Sequence, residues 1–336
     1  MNKRGIVFTT IAVILISILI LMFLIQSSKK TELEITRSTV ETDTLNSFVK
    51  ALKTQHIPNA IKVSSNQAIL ALLEYMEKED YVYLSDSEVD IINAIMTGND
   101  PQGNKLDLMF PIYEGEELNY TINSTLDEIK QLASQTNIQF SYQPFNTNIV
   151  QKDSWTLKVT IINFNFTVSD SDGKVKWIDV INISGEFPII NFRDPVILIE
   201  EENNFTIKQV ADTTNYVYVE DDMGKIFAQM WNHTFNNNSD APSFLMRMEG
   251  NFSNSPDNYG IEYIVNPLFN SNQYHYSVSD HLYYNHTTTT CQYRTTNIPD
   301  FYMDEKHLNL YGIPNGALTQ GNGFYDCDTT PPGYEP

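Results

Sequence analysis

Between Ile6 and Ile25 the chain runs apolar for twenty residues, broken only by Thr9, Thr10 and Ser17. At 1.5 Å of rise per residue, a helix of that length covers ~30 Å, the thickness of a bilayer's hydrocarbon core. A secretory signal usually carries an apolar region of only about 7–15 residues that ends at small side chains. Here the exit reads Leu24-Ile25-Gln26-Ser27-Ser28, a poor cleavage site. The expectation is therefore a retained single-pass transmembrane helix over 6–26. Lys3 and Arg4 flank its inner end and Lys29 and Lys30 its outer end, so basic residues alone do not orient it.

The chain beyond this helix suits the outside of a cell. Nine Asn-x-Ser/Thr sequons occur, at Asn119, Asn123, Asn165, Asn182, Asn204, Asn232, Asn237, Asn251 and Asn285. Composition alone predicts about five in a chain so rich in Asn, Ser and Thr, so the excess is modest and placement matters more. Asn165 and Asn182 fall on the solvent faces of expected strands. The two cysteines, Cys291 and Cys327, form an even count that reads as a disulfide in an oxidising compartment. Closing that loop would stabilise the fold by roughly 4 kcal/mol on the chain-entropy account. The net charge of −21, with 42 acids against 21 Lys and Arg, excludes a nucleic-acid partner, whose phosphates need basic side chains.

Hydrophobic spacing divides the chain after the anchor. Leu45, Phe48, Val49 and Leu52 recur at i, i+3, i+4 and i+7 and, with Leu33 and Val40, predict a helix continuing to Ile57-Pro58, where the proline should stop it. The stretch 67–78, apolar nearly all round its first half, reads as a buried helix. Ser85-Asp86-Ser87-Glu88 reads as a capping box for a third helix closed by Gly98. A fourth helix is expected over 126–135, capped by Asn123 or Ser124. From about Ile138 the period changes to two. Along 155–168 the alternation Trp155, Leu157, Val159, Ile161 flips phase to Ile162, Phe164, Phe166, Val168, which predicts a β-bulge. An Asp-Gly turn in 169–174 and a returning strand over 175–183 complete a hairpin, with Val175, Trp177, Ile181 and Ile183 on one face. Further strands are expected near 187–199, 205–210 and 215–220, and helices over 223–232 and 304–312. The fold class expected is α+β: an N-terminal transmembrane helix extended into a helical region, then a largely antiparallel β-rich ectodomain.

Residue patterns for catalysis are missing. The chain has no G-x-S-x-G, H-E-x-x-H, P-loop or Rossmann glycine pattern, so neither a catalytic residue nor a cofactor is assigned. His281, His286 and Cys291 are the first candidates if zinc binds, but their spacings match no standard finger, and a disulfide with ordinary polar histidines is the simpler reading. Asp170-Ser171-Asp172-Gly173 opens like a calcium loop yet lacks the downstream bidentate Glu, and a hairpin turn already accounts for it.

Lys3-Arg4-Gly5 directly before the apolar run resembles the class III signal peptides of archaeal pilins and pilin-like proteins. INISGEFPIINFRDPVI (181–197), APSFLMRMEGNFSNSPDNYGIEYIVN (241–266), SVSDHLYYN (277–285) and FYMDEKHLNLYG (301–312) resemble, in the same order, stretches of a group of archaeal membrane-anchored secreted proteins. The resemblance implies cleavage between Gly5 and Ile6 on the cytoplasmic side, with the apolar helix kept as a stem. It carries no activity. The organisation expected is a cytoplasmic leader over 1–5, a transmembrane or pilin-like helix over 6–26, an extracytoplasmic helical region over 27–137, a β-rich domain over 138–222, and a Tyr/Asn-rich C-terminal region over 223–336. A structural or interaction role at the cell surface is the function expected, the alternative being an anchored binding module for a solute, glycan or neighbouring surface protein. The partners expected are the membrane, through the N-terminal helix, and further copies of the chain or other surface proteins.

Overall fold

The computed structural model describes Met22 and residues 42–78, 82–200, 209–210, 234–264, 279–281, 292–294 and 302–304. Apart from Met22 the expected membrane helix lies outside these residues, and no helix among them is long and apolar enough to cross a membrane. In chain order the elements are helix α1 (42–51), a π-helical turn at Leu52–His56, α2 (Ile57–Lys78), α3 (Ser87–Thr97), a 3₁₀ turn at Asp107–Met109, strands β1 (Ile112–Tyr113) and β2 (Glu116–Glu117), and α4 (Ile122–Gln135). Then come β3 (Ile138–Tyr142), β4 (Asn146–Asp153), β5 (Thr156–Asp170), β6 (Lys176–Pro188), α5 (Pro195–Glu200), β7 (Asn236–Asn237), α6 (Phe244–Met248), β8 (Ile261–Glu262), β9 (Gln292–Arg294) and β10 (Tyr302–Asp304). This is an α+β chain, and every strand pair with a defined register is antiparallel.

Pro58 does not end the helix. It sits inside α2, and the five residues before the start of α2 are π-helical instead. A proline ring clashes with the carbonyl four residues back and supplies no N–H. Widening the preceding turn to an i→i+5 pattern accommodates both defects without a break. The caps also differ from expectation. Asp86 caps α3 through a side-chain bond from Val89 N–H, and Gly98 closes the helix at φ 76° as predicted. Thr121, not Asn123 or Ser124, caps α4, its Oγ1 accepting from Ser124 N–H at 3.3 Å. Asp-Pro turns the expected strand at 187–199 into a helix. Asp194 Oδ1 accepts from Val196 and Ile197 N–H at 3.0 Å, and Pro195 takes the first helical position, where its missing N–H costs nothing. Phe187 and Pro188, at the start of that stretch, end β6.

The phase flip is present, but against β3 and β4 the expected bulge is not: Tyr142 opposes Phe166 and Asn146 opposes Ile162, so that register holds across it, and a left-handed residue switches the buried face instead. Leu157, Val159 and Ile161 are buried, then Phe164, Phe166 and Val168, and Asn163 between them has φ 54°. The hairpin turn comes next, with Gly173 at φ 69° and Asp170 Oδ1 accepting from Val175 N–H at 2.9 Å. On β6 the buried members are Ile183, Gly185 and Phe187, while Trp177 is 41% exposed. Of the later expectations, Gln209 bridges Arg193 within the expected 205–210 strand, and Asp304, the first residue of the expected helix at 304–312, ends strand β10. The stretches 215–220, 223–232 and 305–312 lie outside the described residues.

The chain clusters into two units. The first holds α1, Glu128–Pro144 and Phe164–Ile181. In it β3 pairs with the C-terminal half of β5, from Ile138 opposite Asp170 to Tyr142 opposite Phe166. Leu45, Val49 and Leu52 are buried, and Phe48, Phe140, Phe166, Phe164 and Tyr142 form a chain of ring contacts at 5.6–6.4 Å. Each such contact adds about 0.5–1.5 kcal/mol beyond area burial. Lys53 lies over the Trp177 ring at 5.5 Å and pairs with Asp179, whose carboxyl this hydrogen bond holds below the usual range.

The second unit holds Ile57–Asp127, Phe145–Asn163 and the described residues from Asn182 onward. Here β4 pairs with the N-terminal half of β5, from Asn146 opposite Ile162 to Asp153 opposite Thr156. Its core gathers Ile61, Ile69, Leu72 and Met76 of α2, Ile91 and Ile95 of α3, Phe187 of β6, and Phe244 and Met248 of α6. Gly185 lets α2 approach β6, since a Cβ there would come within 2.9 Å of the Pro58 carbonyl oxygen.

Candidate functional site

Within the second unit, five ionisable side chains meet where no water reaches. Arg247, from α6, is fully buried, as are Asp194, Glu262 and Asp280, and His281 is 4% exposed. Each is placed by its own element. Asp194 is fixed by capping α5. Arg247 stands on a helix capped by Ser243, whose Oγ accepts from Met246 N–H. Glu262 is held by the pairing of β7 with β8. Asp280 is fixed by its N–H to the Tyr263 carbonyl at 3.0 Å, beside the bridge between Ile264 and Ser279.

The guanidinium organises the group. Its Nε and Nη2 donate to the two Asp194 oxygens at 2.7 and 2.8 Å, a bidentate fork. Nη2 also pairs with Asp280, Nη1 reaches the Ile261 carbonyl at 3.4 Å, and the Phe235 ring lies 5.5 Å away. Beside this fork, His281 Nδ1 lies 3.2 Å from Glu262 Oε2, which also accepts from Asn238 Nδ2 at 3.0 Å. Burial pulls the Arg247 pKa down, but the two aspartates outweigh it and hold the guanidinium charged. Burial likewise pushes the Asp280 carboxyl up, and Arg247 and His281 overcome it, leaving Asp280 below the usual carboxylate range. Burial of two opposite charges is tolerated only when such geometry repays desolvation. Sealed from solvent and paired with one another, these groups cannot exchange a proton with a solute. What they can do is lock α5, α6, β8 and the 279–281 segment in one arrangement.

A second concentration of acids surrounds the start of α3. Glu249, which comes directly after α6, accepts from Ser87 N–H at 2.9 Å and from the Ser87 hydroxyl at 2.8 Å, adding a second cap to Asp86. Burial first, then the charges of Asp86 and Glu249, raise the carboxyls of Glu88 and Asp90.

Of the metal candidates, His281 joins the buried network, while His286 and Cys291 lie outside the described residues, as does Cys327. No set of three His, Cys, Asp or Glu side chains among the described residues is arranged to hold an ion. The calcium-like loop is a turn whose Asp172 pairs with Lys174 at 3.1 Å. Among the sequons, Asn119, Asn182, Asn237 and Asn251 are exposed and Asn123 and Asn165 half-buried; Asn204, Asn232 and Asn285 lie outside the described residues. Gly5 and Ile6, the expected processing site, also lie outside.

Sequence reasoning misses Arg247, Asp194, Glu262 and Asp280. The available signal is a single Arg inside the apolar run FLMRM on a helix: charges are almost never fully buried unless paired, so a buried Arg there demands carboxylates. Comparison with protein-family models, with curated proteins and with solved structures finds no match to this chain.

Proposed function

We propose that this is a membrane-anchored, extracytoplasmic surface protein of pilin-like build, with a structural or interaction role. The observation that carries the reading is the apolar run Ile6–Ile25 directly behind Lys3-Arg4-Gly5, whose length matches a bilayer core. The second unit agrees with it in kind. Among the described residues, a buried set of five ionisable groups is spent inside the protein, locking secondary structure, which suits a scaffold of fixed shape. The likeness to archaeal membrane-anchored secreted proteins adds the class III leader, processed between Gly5 and Ile6.

The test is the mature N-terminus, read by mass spectrometry on protein purified from native membranes. A chain beginning at Ile6 supports a processed stem and an assembly subunit. A chain beginning at Met1 makes the helix a fixed anchor. One beginning beyond Ser27 overturns both.

A second reading, an anchored binding module, is favoured by apolar side chains left in solvent. Ile112 and Tyr113 on β1 are 77% and 64% exposed, and Ile178 and Val180 on β6 are 62% and 54% exposed. Under that reading the purified ectodomain is a monomer that captures a ligand on one or the other of these strands.

A further inference from the structure

We infer that the folded protein accepts N-linked oligosaccharide at Asn119 and Asn251 and refuses it at Asn123 and Asn182, although all four carry the same tripeptide signal. The inference rests on the extracytoplasmic location proposed above. It distinguishes sequons by how the folded chain uses the two groups the transfer needs, the Asn amide and the hydroxyl two residues on.

At Asn119 the side chain is exposed, and its Oδ1 accepts from both Thr121 N–H at 2.9 Å and the Thr121 hydroxyl at 2.7 Å. Asn251 repeats the arrangement, with Oδ1 accepting from Ser253 N–H at 3.1 Å and the Ser253 hydroxyl at 2.7 Å. In both, the tripeptide folds back on itself. Two donors on the amide oxygen draw electron density toward it and make an Nδ2 proton easier to remove. Among the described residues, no hydrogen bond engages Nδ2 at either position.

Asn123 and Asn182 differ in opposite ways. Asn123 is half-buried in the first turn of α4, its Nδ2 donates to the Met96 carbonyl at 3.3 Å, and the Thr125 hydroxyl donates to the Thr121 carbonyl at 3.1 Å. Nucleophile and hydroxyl are both committed elsewhere, and freeing them unwinds the helix start. Asn182 is exposed, but it lies extended within β6 with its Oδ1 accepting from Asn163 N–H at 2.8 Å. The Ser184 hydroxyl is held by the Thr160 hydroxyl at 2.9 Å. The strand would have to leave the sheet for the tripeptide to fold back.

The co-reactant is an oligosaccharide carried on a lipid phosphate and presented by a membrane transferase. Nδ2 attacks the anomeric carbon and the N–C bond forms. The bond from that carbon to the phosphate oxygen breaks, the lipid phosphate leaves with the electron pair, and a base of the transferase takes the Nδ2 proton.

Glycopeptide mass spectrometry on the full chain from native membranes tests this. Asn119 and Asn123 share the tryptic peptide 106–130, so fragmentation that retains the glycan is needed to separate them. Glycan is expected on Asn119 and Asn251, with Asn123 and Asn182 bare. Thr160→Val leaves every sequon intact and frees the Ser184 hydroxyl but keeps Asn182 extended in β6 and bonded to Asn163 N–H, so Asn182 is expected to stay bare in that variant too. Occupancy of Asn123 or Asn182 in the natural protein comparable to that of Asn119, or a bare Asn119 or Asn251, overturns the inference. Protease added to intact cells separates the two ideas. Bare sequons on a chain the protease degrades sink the inference alone, whereas bare sequons on a protected chain sink the location with it.

Discussion

Replacing Arg247 by Met removes one charge at similar bulk and strands two others. Asp194 and Asp280 are both fully buried. Without the guanidinium, Asp194 keeps the N–H groups of Val196 and Ile197, and Asp280 keeps the N–H of His281 and, at 3.7 Å, its imidazole. Breaking a buried ion pair from one side costs about 3–5 kcal/mol. With two carboxylates affected and both partly compensated, about 4 kcal/mol is expected at pH 7. That is a large share of a stability of roughly 5–15 kcal/mol. Urea unfolding followed by far-ultraviolet circular dichroism reads it as a lower midpoint at unchanged slope. The pH dependence is the sharper check. In the natural protein Asp280 titrates below the usual range, so its contribution is present above the unfolded pKa near 3.9 and fades as the pH falls below it. In the variant the buried Asp280 carboxylate loses its guanidinium partner, so the penalty is full at neutral pH and shrinks on acidification. The gap between the proteins therefore narrows from pH 7 to pH 4, by up to about 1.4 kcal/mol per pH unit for that carboxylate. Adding Asp194→Asn and Asp280→Asn to Arg247→Met should recover much of the loss at pH 7, because neither aspartate is then left as an unpaired ion. A loss below about 1 kcal/mol at pH 7, or a gap that does not change with pH, would refute the reasoning.

Three smaller perturbations probe other features. Asp90 is 5% exposed and its carboxyl is raised by burial, so ionising it at neutral pH opposes folding. Asp90→Asn should stabilise by on the order of 1 kcal/mol at pH 7, and by less near pH 4, where less of the acid is ionised; thermal melts at both values check this. Gly260→Ala would drive a Cβ into the carbonyl oxygens of Ala241 and Asn238, far inside van der Waals contact. Backbone must move, so a loss of about 3 kcal/mol or more is expected, read as poor soluble yield or a fall in melting temperature. At the left-handed residue of β5, Asn163→Gly should be neutral or slightly stabilising, while Asn163→Val should cost about 1–2 kcal/mol, because φ 54° suits glycine and not a β-branched residue; paired urea titrations decide it.

Sequence is legible where one residue dictates local geometry. The phase change around Ile161 and Ile162 marks where the buried face of β5 switches, Gly98 the end of α3, and Asp172-Gly173 the hairpin. It misleads where two local rules compete. Pro58 reads as a stop, but a π-turn absorbs a proline when the helix on both sides has faces to bury, as Leu45, Val49, Ile61 and Ile69 do. The apolar run from Phe187 to Ile199 reads as a strand when its period is considered without its cap; Asp194 followed by Pro195 starts a helix whatever the flanking β-propensity. The Arg247 network is out of reach for a different reason. Its members come from four stretches of chain, and a one-dimensional pattern cannot show that Asp194 and Asp280 face the same guanidinium.

That dispersal bears on how the protein can be made. A chain emerging N-terminus first delivers Asp194, then Arg247, then Glu262, and only last Asp280 and His281. Until the final pair arrives, α6 must either keep its guanidinium hydrated or bury it with half its counter-charge. The second unit therefore has a completion point written late in its sequence, and any product released before Asp280 should stay recognisably unfinished to a protease.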